Sequence, residues 1–317
     1  MSFITGTGAS AQFGMETTFG TGVSPTTLLD ITSEGISVSV EKGDEGSLLA
    51  SKTAQTRDLM SVKVDGSLSL ILRPETAGLL FHAAFGGADT VTADGEFHNH
   101  TINLCGAKAD LPSFTLVVDR NAAVKKYAGC TISSLSIEAA AGDYVKCSVD
   151  IKGVKEEAGT LNSSIDDFSI PSYRCTSASF RIDDQEYPVT SATFKLDNGL
   201  EDAPQTYQSG LYSGQPKHGR RTATVSFEVP YSSSIETLKS TYLLSEQNAS
   251  MELVFTSGNP DYSVTITLPK VAVTSLDANV GGTGIITASL EGEALSVGTT
   301  EPVTAVIRDK ESTAYGG

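Results

Sequence analysis

The chain has 317 residues, of which 39% are hydrophobic and 19% charged, so it has the composition of an ordinary globular protein with room for two cores. Its formal net charge of −16 opposes binding to nucleic acid and to anionic membranes, which argues against a basic DNA-binding role. The sequence predicts neither a signal peptide nor a membrane-spanning helix, since its first residues lack a basic start and an apolar core.

The amino terminus is predicted as an extended arm over residues 1–29, because Ser2–Leu28 is rich in Gly and Thr with scattered aromatics. Apolar alternation over Ile31–Lys42 then predicts a strand. A long polar loop follows over Gly43–Ser61. The loop begins with acids and ends with bases, and its charged residues are Asp44, Glu45, Lys52 and Arg57.

The stretch Val62–Phe85 is predicted to form a strand followed by a helix. Leu68 and Leu70 alternate with serines, which indicates a strand with one buried face. Pro74 ends the strand and begins the helix, because it lacks the N–H that a ladder needs. Gly86 gives the helix a stop.

The same pattern returns at Thr222–Leu244. An alternating strand there ends at Pro230, and a helix is predicted to begin near Ser232. Ser233-x-x-Glu236 has the form of a capping box.

Constant offsets relate the two halves of the chain and predict a duplicated fold. Residues that keep step across the halves are Leu68 with Val225 at an offset of 157, Val38 with Phe194 at 156, and Ile151 with Leu290 at 139. The fall in the offset is extra length in the first half, and Gly86–Leu111 is the stretch able to hold it.

The organisation that follows is β-rich, with copy 1 over residues 30–158, a linker over 159–176, copy 2 over 177–297 and a polar carboxy-terminal tail over 298–317. Copy 2 contains its own long loop, Gly199–Arg221. This loop again begins with acids and ends with bases, and its charged residues are Glu201, Asp202, Lys217, Arg220 and Arg221.

A search for catalytic or ligand motifs predicts no enzyme, no cofactor and no metal. Gly6-x-Gly8-x-x-Ala11 imitates a dinucleotide fingerprint but lacks the strand, helix and acid that the motif needs. His98-x-His100 lacks further ligands at convincing spacing, so surface histidines are the simpler interpretation. No nucleophile, base and acid form a recognisable set.

Two segments carry a resemblance to a known family. Thr5–Val23 (TGTGASAQFGMETTFGTGV) resembles the amino-terminal arm of major tail tube proteins of long-tailed, non-contractile bacteriophages. Ser177–Gly199 (SASFRIDDQEYPVTSATFKLDNG) is similar to their strand–turn–strand entry into the tube domain. The resemblance extends from Ser2 to about Val297, and its motifs are patterns of strand and glycine.

The resemblance implies a mainly β fold with two tandem copies of a tail-tube β-sandwich or barrel-like domain, each with one flanking helix. Such subunits form rings by extending a sheet from domain to domain, and a duplicated chain implies a homotrimer with pseudo-sixfold symmetry. The protein would then be a structural virion subunit, assembled in the host bacterial cytoplasm into stacked rings that form a conduit for phage DNA. Its partners would be itself, other tail proteins at the tube ends and DNA in transit without sequence specificity, with no membrane.

Within this scheme, the charged residues of the two long loops are candidates for contacts between subunits or rings. Strands with a clean polar face are candidates for the lumen, which we expect to have a net negative potential so that DNA is not held. The lumen candidates are Ser148, Asp150, Thr287, Ser289 and Glu291. Lys146 and Lys152 share the face of the first two and oppose this unless acids pair with them, and an outer wall would show the same alternation.

Other classes of protein share part of the pattern. A secreted or surface β-rich adhesin would have similar strands and acidic charge, but the sequence lacks a secretion signal. A β-sandwich hydrolase or carbohydrate-binding module would present aromatic platforms, and the chain has no Trp. A tube of a contractile tail or a secretion system is a near relative that the sequence separates poorly.

Overall fold

The computed structural model of the protein describes residues 4–44, 57–280, 283–296, 298 and 301–316. These residues are mainly in β-strands, as expected from the composition. In chain order, the first half contains β1 (Ser10–Met15), β2 (Thr27–Leu29), β3 (Ile31–Glu34), β4 (Ser37–Gly43), β5 (Asp58–Ile71), α1 (Pro74–Phe85), β6 (Gly86–Asp94), β7 (Phe97–Leu104), β8 (Phe114–Asp119), β9 (Val124–Ala140), β10 (Lys146–Gly153) and β11 (Lys155–Ala158).

The second half contains the remaining strands and the second helix. Its elements are β12 (Tyr173–Ile182), β13 (Gln185–Glu186), β14 (Ser191–Asp197), β15 (Leu200–Glu201), β16 (Lys217–His218), β17 (Thr222–Pro230), α2 (Ser233–Leu238), a π-helical turn (Lys239–Leu243), β18 (Ala249–Ser257), β19 (Ser263–Ala278), β20 (Thr287–Ala294) and β21 (Thr304–Asp309).

The two helices begin where the sequence predicts. Pro74 is the first residue of α1. Its missing N–H costs the helix nothing there, because an N–H at the first helical position has no partner within the helix. The helix ends at Gly86, where φ of 70° favours glycine. Ser232 is the N-cap of α2 and no side chain caps the helix, so the predicted capping box does not form. Glu236 instead accepts a hydrogen bond from the Tyr231 hydroxyl.

One antiparallel sheet runs through both halves of the chain. Its central strands lie in the order β5, β10, β9, β14, β17, β20, β19, and β3 and β4 follow one another along the outer side of β5. β9 and β14 come from different halves and pair over seven residues, Ser191–Asp197 with Ala140–Ser134. The central strands therefore form an unbroken ladder from β5 to β19.

The long strands β9 and β19 connect the central ladder to an outer layer. The first part of β9 pairs with β8 and β11, and the first part of β19 pairs with β18 and β21. The apolar side chains of the central ladder, such as Leu68, Val149, Ile137, Phe194 and Val225, are buried in a shared core with both helices. Helix α1 packs on this core against β7, β9 and β21.

The carboxy-terminal segment, predicted as a polar tail, contains strand β21. β21 lies between β19 of the second half and β7 of the first half. Val303, just before the strand, and Ala305 and Ile307 within it are fully buried. The apolar alternation that marks this strand was therefore present in the sequence, but it is short. The strand therefore joins the two halves a second time, separately from the β9–β14 pair.

A buried polar cluster holds the residues after β21, and it contains His100, which the sequence had indicated to be a surface histidine. The His100 ring is inaccessible, with Nδ1 2.8 Å from Asp89 Oδ2 and Nε2 2.8 Å from the Glu311 carbonyl and 3.4 Å from Asp309 Oδ1. The Tyr315 hydroxyl donates to Asp309 Oδ2 at 2.5 Å, and the Tyr315 N–H donates to Asp89 Oδ2 at 2.9 Å. Both ring nitrogens of His100 face acceptors, so only the imidazolium form donates to both.

The pKa of His100 is accordingly displaced. Burial lowers the pKa of His100, but the hydrogen bonds to Asp89 and Glu311 and the charge of Asp309 outweigh burial and raise it above the ordinary 6.5. Burial also raises the pKa of Asp309 above its usual value. Both shifts mean that the folded chain holds protons more tightly than the unfolded chain, so their stabilisation is complete at low pH and is lost as pH rises through the folded pKa.

We expect His100→Gln to lower the free energy of unfolding by about 3 kcal/mol at pH 6, because it leaves buried carboxylates without their cation. The loss should be smaller at pH 9, because a rise in pH toward and through the folded pKa of His100 removes the proton from the wild-type ring. Urea unfolding at the two pH values measures the difference. His218→Gln, at a histidine bonded only to the Ala109 carbonyl, is the control and should change stability by less than about 0.5 kcal/mol at either pH. An equal cost of His100→Gln at both pH values would contradict the assignment.

Candidate functional site

The side of the central ladder that faces away from the core carries an almost continuous set of polar side chains, which we call the polar face. Register places these residues in rows that cross both halves of the chain. Two of the rows are Ser67, Asp150, Ser134, Asp197 and Thr222, and Lys146, Glu138, Thr193, Ser226, Glu291 and Ser275.

All five predicted lumen candidates lie on this one face. Ser148 and Asp150 come from β10, while Thr287, Ser289 and Glu291 come from β20. Ser148 is half-buried beside Ser69, with the two hydroxyls 3.2 Å apart. The other four are exposed, although Asp150 also accepts a 2.6 Å hydrogen bond from Ser134. The structure therefore brings together residues that the sequence assigned to separate copies.

Acids outnumber bases on the polar face. The acids are Asp65, Glu138, Asp150, Asp197, Glu228, Asp277, Glu291 and Glu293, and the bases are Lys63, Lys146, Lys152 and Lys195. Lys146 is bound to Asp143 at 2.6 Å and Lys152 to Asp202 at 2.7 Å. The two lysines that oppose a negative face thus have acidic partners.

The central ladder has two free edges. In the residues that the structure describes, β3 and β4 pair with β5 only, and residues 272–278 of β19 pair with β20 only. An unpaired edge is a template for another strand. Large apolar side chains are exposed close to both edges: Val40, Leu59 and Met60 near the first are 41–46% exposed, and Val280 after the second is 73% exposed.

A comparison of the sequence with known families identifies the family of this chain. The chain matches the profile of the family described as phage tail tube protein over residues 6–294. The chain belongs to the phage tail tube family. No curated protein matches the chain. The match covers nearly the whole chain and identifies a structural protein of a phage virion tail.

The second charged loop of this tail tube protein makes its contacts within the chain. Asp202 binds Lys63 and Lys152, each at 2.7 Å. Lys217 binds Asp110 at 2.6 Å. Arg221 donates at 2.7 Å to the Cys105 carbonyl.

The other charged loop residues lie at the surface. Glu201 and Arg220 are exposed beside the short β15–β16 pair, and Asp44 and Arg57 are exposed where the structure borders the first loop. Glu45 and Lys52 fall outside the described residues. A role of these charges between subunits therefore stays a prediction, and the second loop already uses three of its charges to fold onto the first half.

Metal sites, membrane spans and cysteine pairs were sought in the described part of the chain as well. Among the described residues, no three His, Cys, Asp or Glu side chains are grouped to hold a metal ion. No helix in the same residues is long and apolar enough to cross a membrane. The four cysteines are unpaired thiols, and burial raises the pKa of Cys130 and of Cys147.

The features that sequence reasoning missed are the two free edges and the apolar side chains beside them. Val280 stands alone in a Gly- and Thr-rich segment, and Ile4, next to Phe3, precedes another such segment, so neither has the periodicity that marks a strand or helix. An isolated apolar residue in such a turn was the one available signal. Edge position depends on pairing across the whole chain, so no local pattern contains it.

We expect Asp202→Asn to lower the free energy of unfolding by about 0.5–1 kcal/mol at low salt, because it removes two partly exposed ion pairs. Hydrogen bonds from Lys152 and Lys63 lower the pKa of Asp202, so its contribution is present above the ordinary 3.8 and is lost as pH falls through the folded pKa. Urea unfolding in about 50 mM and about 1 M NaCl should show the cost shrinking with salt. Asp110→Asn is the control. It removes a single ion pair, with Lys217, that is more exposed than those of Asp202, so it should lower the free energy of unfolding by less.

Proposed function

We propose that this chain is the major subunit of a phage tail tube, in which three chains close a ring and the stacked rings enclose the path of the DNA. The observation that carries the proposal is the β9–β14 pair. It joins two similar sets of strands edge to edge inside one chain and leaves one free edge of each kind at the ends. The rings would assemble in the host bacterial cytoplasm and join other tail proteins at the tube ends.

The two sets of strands have the same order. In the first, an edge strand (β3 and β4) is followed by β5, β10 and β9. In the second, β14 is followed by β17, β20 and β19. A helix follows β5 in one set and β17 in the other. The pair β6–β7 follows α1 in the stretch predicted to hold the extra length, which supports a duplicated tube domain.

This correspondence specifies a joint between neighbouring chains. Leu68 pairs with Glu34 as Val225 pairs with Phe194. Glu34 therefore takes the place of Phe194, whereas Val38, which the offset of 156 predicted there, pairs with Val64. Phe194 pairs with Ile137 at the internal joint. Leu276 corresponds to Ile137 at the offset of 139 and should therefore face Glu34 of the next chain.

Closing the ring satisfies both free edges. The second edge of one chain pairs with the first edge of the next, and repeating this joint by a rotation returns to the first chain without leaving an unpaired strand. Three duplicated chains supply the pseudo-sixfold set of strand groups that the resemblance implies. An open chain of subunits would instead leave an edge for indefinite addition.

The polar face is the side of the ladder that remains for the lumen. The opposite side is covered by both helices and by the outer strands. A closed ladder has more room outside than inside, so the covering layer belongs outside. The proposed inner wall then contains Asp150 and Glu291 and has more acids than bases.

A negative wall suits the passage of DNA. Each Lys or Arg that pairs with a phosphate releases counterions and adds affinity, and repetition along a tube would hold the duplex. Acidic side chains repel phosphates within about 8–10 Å, the range left by screening at physiological salt. The duplex then moves through the tube without being held at any one ring.

The joint is tested by disulfide formation in the double variant Ser33→Cys, Asp277→Cys. Asp277 follows Leu276 and Ser33 precedes Glu34, so the antiparallel register places these exposed positions opposite each other in neighbouring chains. We expect rings in negative-stain images and a covalently linked ring on a non-reducing gel. The control variant, Ser39→Cys with Asp277→Cys, displaces one cysteine by six positions along the edge and should not link. Absence of rings from the wild-type protein would refute the proposed function.

The lumen assignment is tested by the double variant Asp150→Lys, Glu291→Lys. We expect normal tube assembly and slower genome delivery by intact virions. With two substitutions in each of three chains, six lysines replace acids in every ring that the duplex passes. The control variant Asp166→Lys, Glu246→Lys makes the same charge change at exposed positions away from the polar face. Normal delivery by the first variant at low salt would remove these positions from the lumen.

A further inference from the structure

A small cavity lies beside the internal β9–β14 joint. Its volume is about 170 Å³. Its lining includes Ala139 and Ala141 from the first half and Cys175, Ala178 and Ala192 from the second half. The wall from the first half is thus the end of β9 and the turn that follows it.

Backbone hydrogen bonds hold this turn in place. The Ala141 N–H donates to the Thr190 carbonyl at 2.8 Å, and the Cys175 N–H donates to the Asp143 carbonyl at 3.1 Å. The β9–β10 turn is therefore seated on the start of β12 and on the residue before β14. This is how the end of one strand set is fixed to the side of the next.

A second groove lies in the matching position of the first half, at the free edge formed by β3. Its volume is about 360 Å³ and its lining includes Ile4, Ala9, Ile31, Glu34 and Arg120. Ile31 pairs with Leu70 as Ala192 pairs with Phe227, so Ile31 stands where Ala192 stands in the internal cavity. No β-turn wall closes this groove in the described part of the chain.

The turn after β19 has the side chain that the groove lacks. Val280 corresponds to Ala141 at the offset of 139 and is 73% exposed. Ile4, at the mouth of the groove, is 59% exposed. Both side chains are apolar and exposed, and the larger groove suits a side chain larger than alanine.

We propose that Val280 of one chain docks in the groove of Ile4, Ala9 and Ile31 of the next chain. The occupant is thus a second copy of this chain, brought there by the same joint that pairs β19 with β3. This inference rests on the proposed function, because it needs the ring. It adds an apolar contact beside the backbone ladder, and it gives the amino-terminal residues a place within the ring.

The groove floor is fixed before the neighbour arrives. Arg120 Nε and Nη2 donate to the two Glu34 carboxylate oxygens at 2.9 and 2.6 Å, and Nη2 also donates to the Ile36 carbonyl at 2.8 Å. A two-pronged pair of this kind holds a defined geometry. The charges of Glu34 and Arg120 are matched to each other. The groove therefore offers an arriving apolar side chain the side chains of Ile4, Ala9 and Ile31, beside the polar Thr5, Thr32 and Ser33.

The test compares Val280→Asp, Ile4→Asp and Ile285→Asp. We expect the first two to raise the protein concentration needed for tube assembly about tenfold, since each places a charge in an apolar contact. Ile285→Asp is the matched control. Ile285 is 87% exposed and lies two residues before Thr287, outside the proposed contact, so this variant should assemble as wild type. Val280→Ala should act in the same direction as Val280→Asp but less strongly.

Two further measurements separate docking from misfolding. Thermal unfolding of the unassembled variants should match wild type, and the double variant Ile4→Asp, Val280→Asp should be no worse than either single variant, because both remove one contact. Cysteines placed at Ala9 and Val280 should form a disulfide between chains in assembled tubes. Wild-type tubes with unaffected Val280→Asp and no such disulfide would overturn the docking alone, whereas failure of wild type to form rings would overturn the proposed function with it.

Discussion

The fold depends on backbone hydrogen bonds at strand edges. β9 would end the first strand set with a free edge, and β14 would begin the second with another, but the chain pairs them over seven residues. Each edge N–H and C=O needs a partner when it is removed from water. Within one chain this need makes a single ladder from two strand sets. The same need at the outer edges makes a neighbouring chain the natural partner, so one constraint accounts for both folding and assembly.

Alternation along the strands gives the two sides of this ladder separate tasks. Leu68, Val149 and Phe194 point to the core, while their neighbours Ser67, Asp150 and Lys195 point away from it. Cross-strand register keeps the two kinds apart across the β9–β14 joint. A slip of one residue there would turn one half inside out and place charges under the helices. The joint therefore preserves the core and the polar face together.

Local patterns allowed much of this fold to be predicted, because strand alternation, Pro74 and the helix stop at Gly86 act over a few residues. Register was harder. Leu68 pairs with Val149 and Val225 pairs with Gly292, so β10 and β20 correspond at an offset of 143 rather than the predicted 139. The β19–β20 connection is longer than the β9–β10 connection, and equal apolar spacing hid this difference.

The candidate site was predictable only in part. The polar strand faces follow from local alternation, whereas the free edges and the intrachain partners of Asp202 arise from pairing between residues far apart in the sequence.

The longer connection after β19 has a physical meaning in the proposed ring. The internal joint forms between parts of one chain, whose high effective concentration lets a small residue such as Ala141 suffice beside the ladder. A joint between chains must also offset the loss of translational and rotational freedom. Val280 supplies more apolar surface at the corresponding position, and the groove at Ile31 is larger than the cavity at Ala192. Docking of Val280 in the groove would therefore offset, at the proposed joint between chains, an entropy loss that the internal joint does not incur.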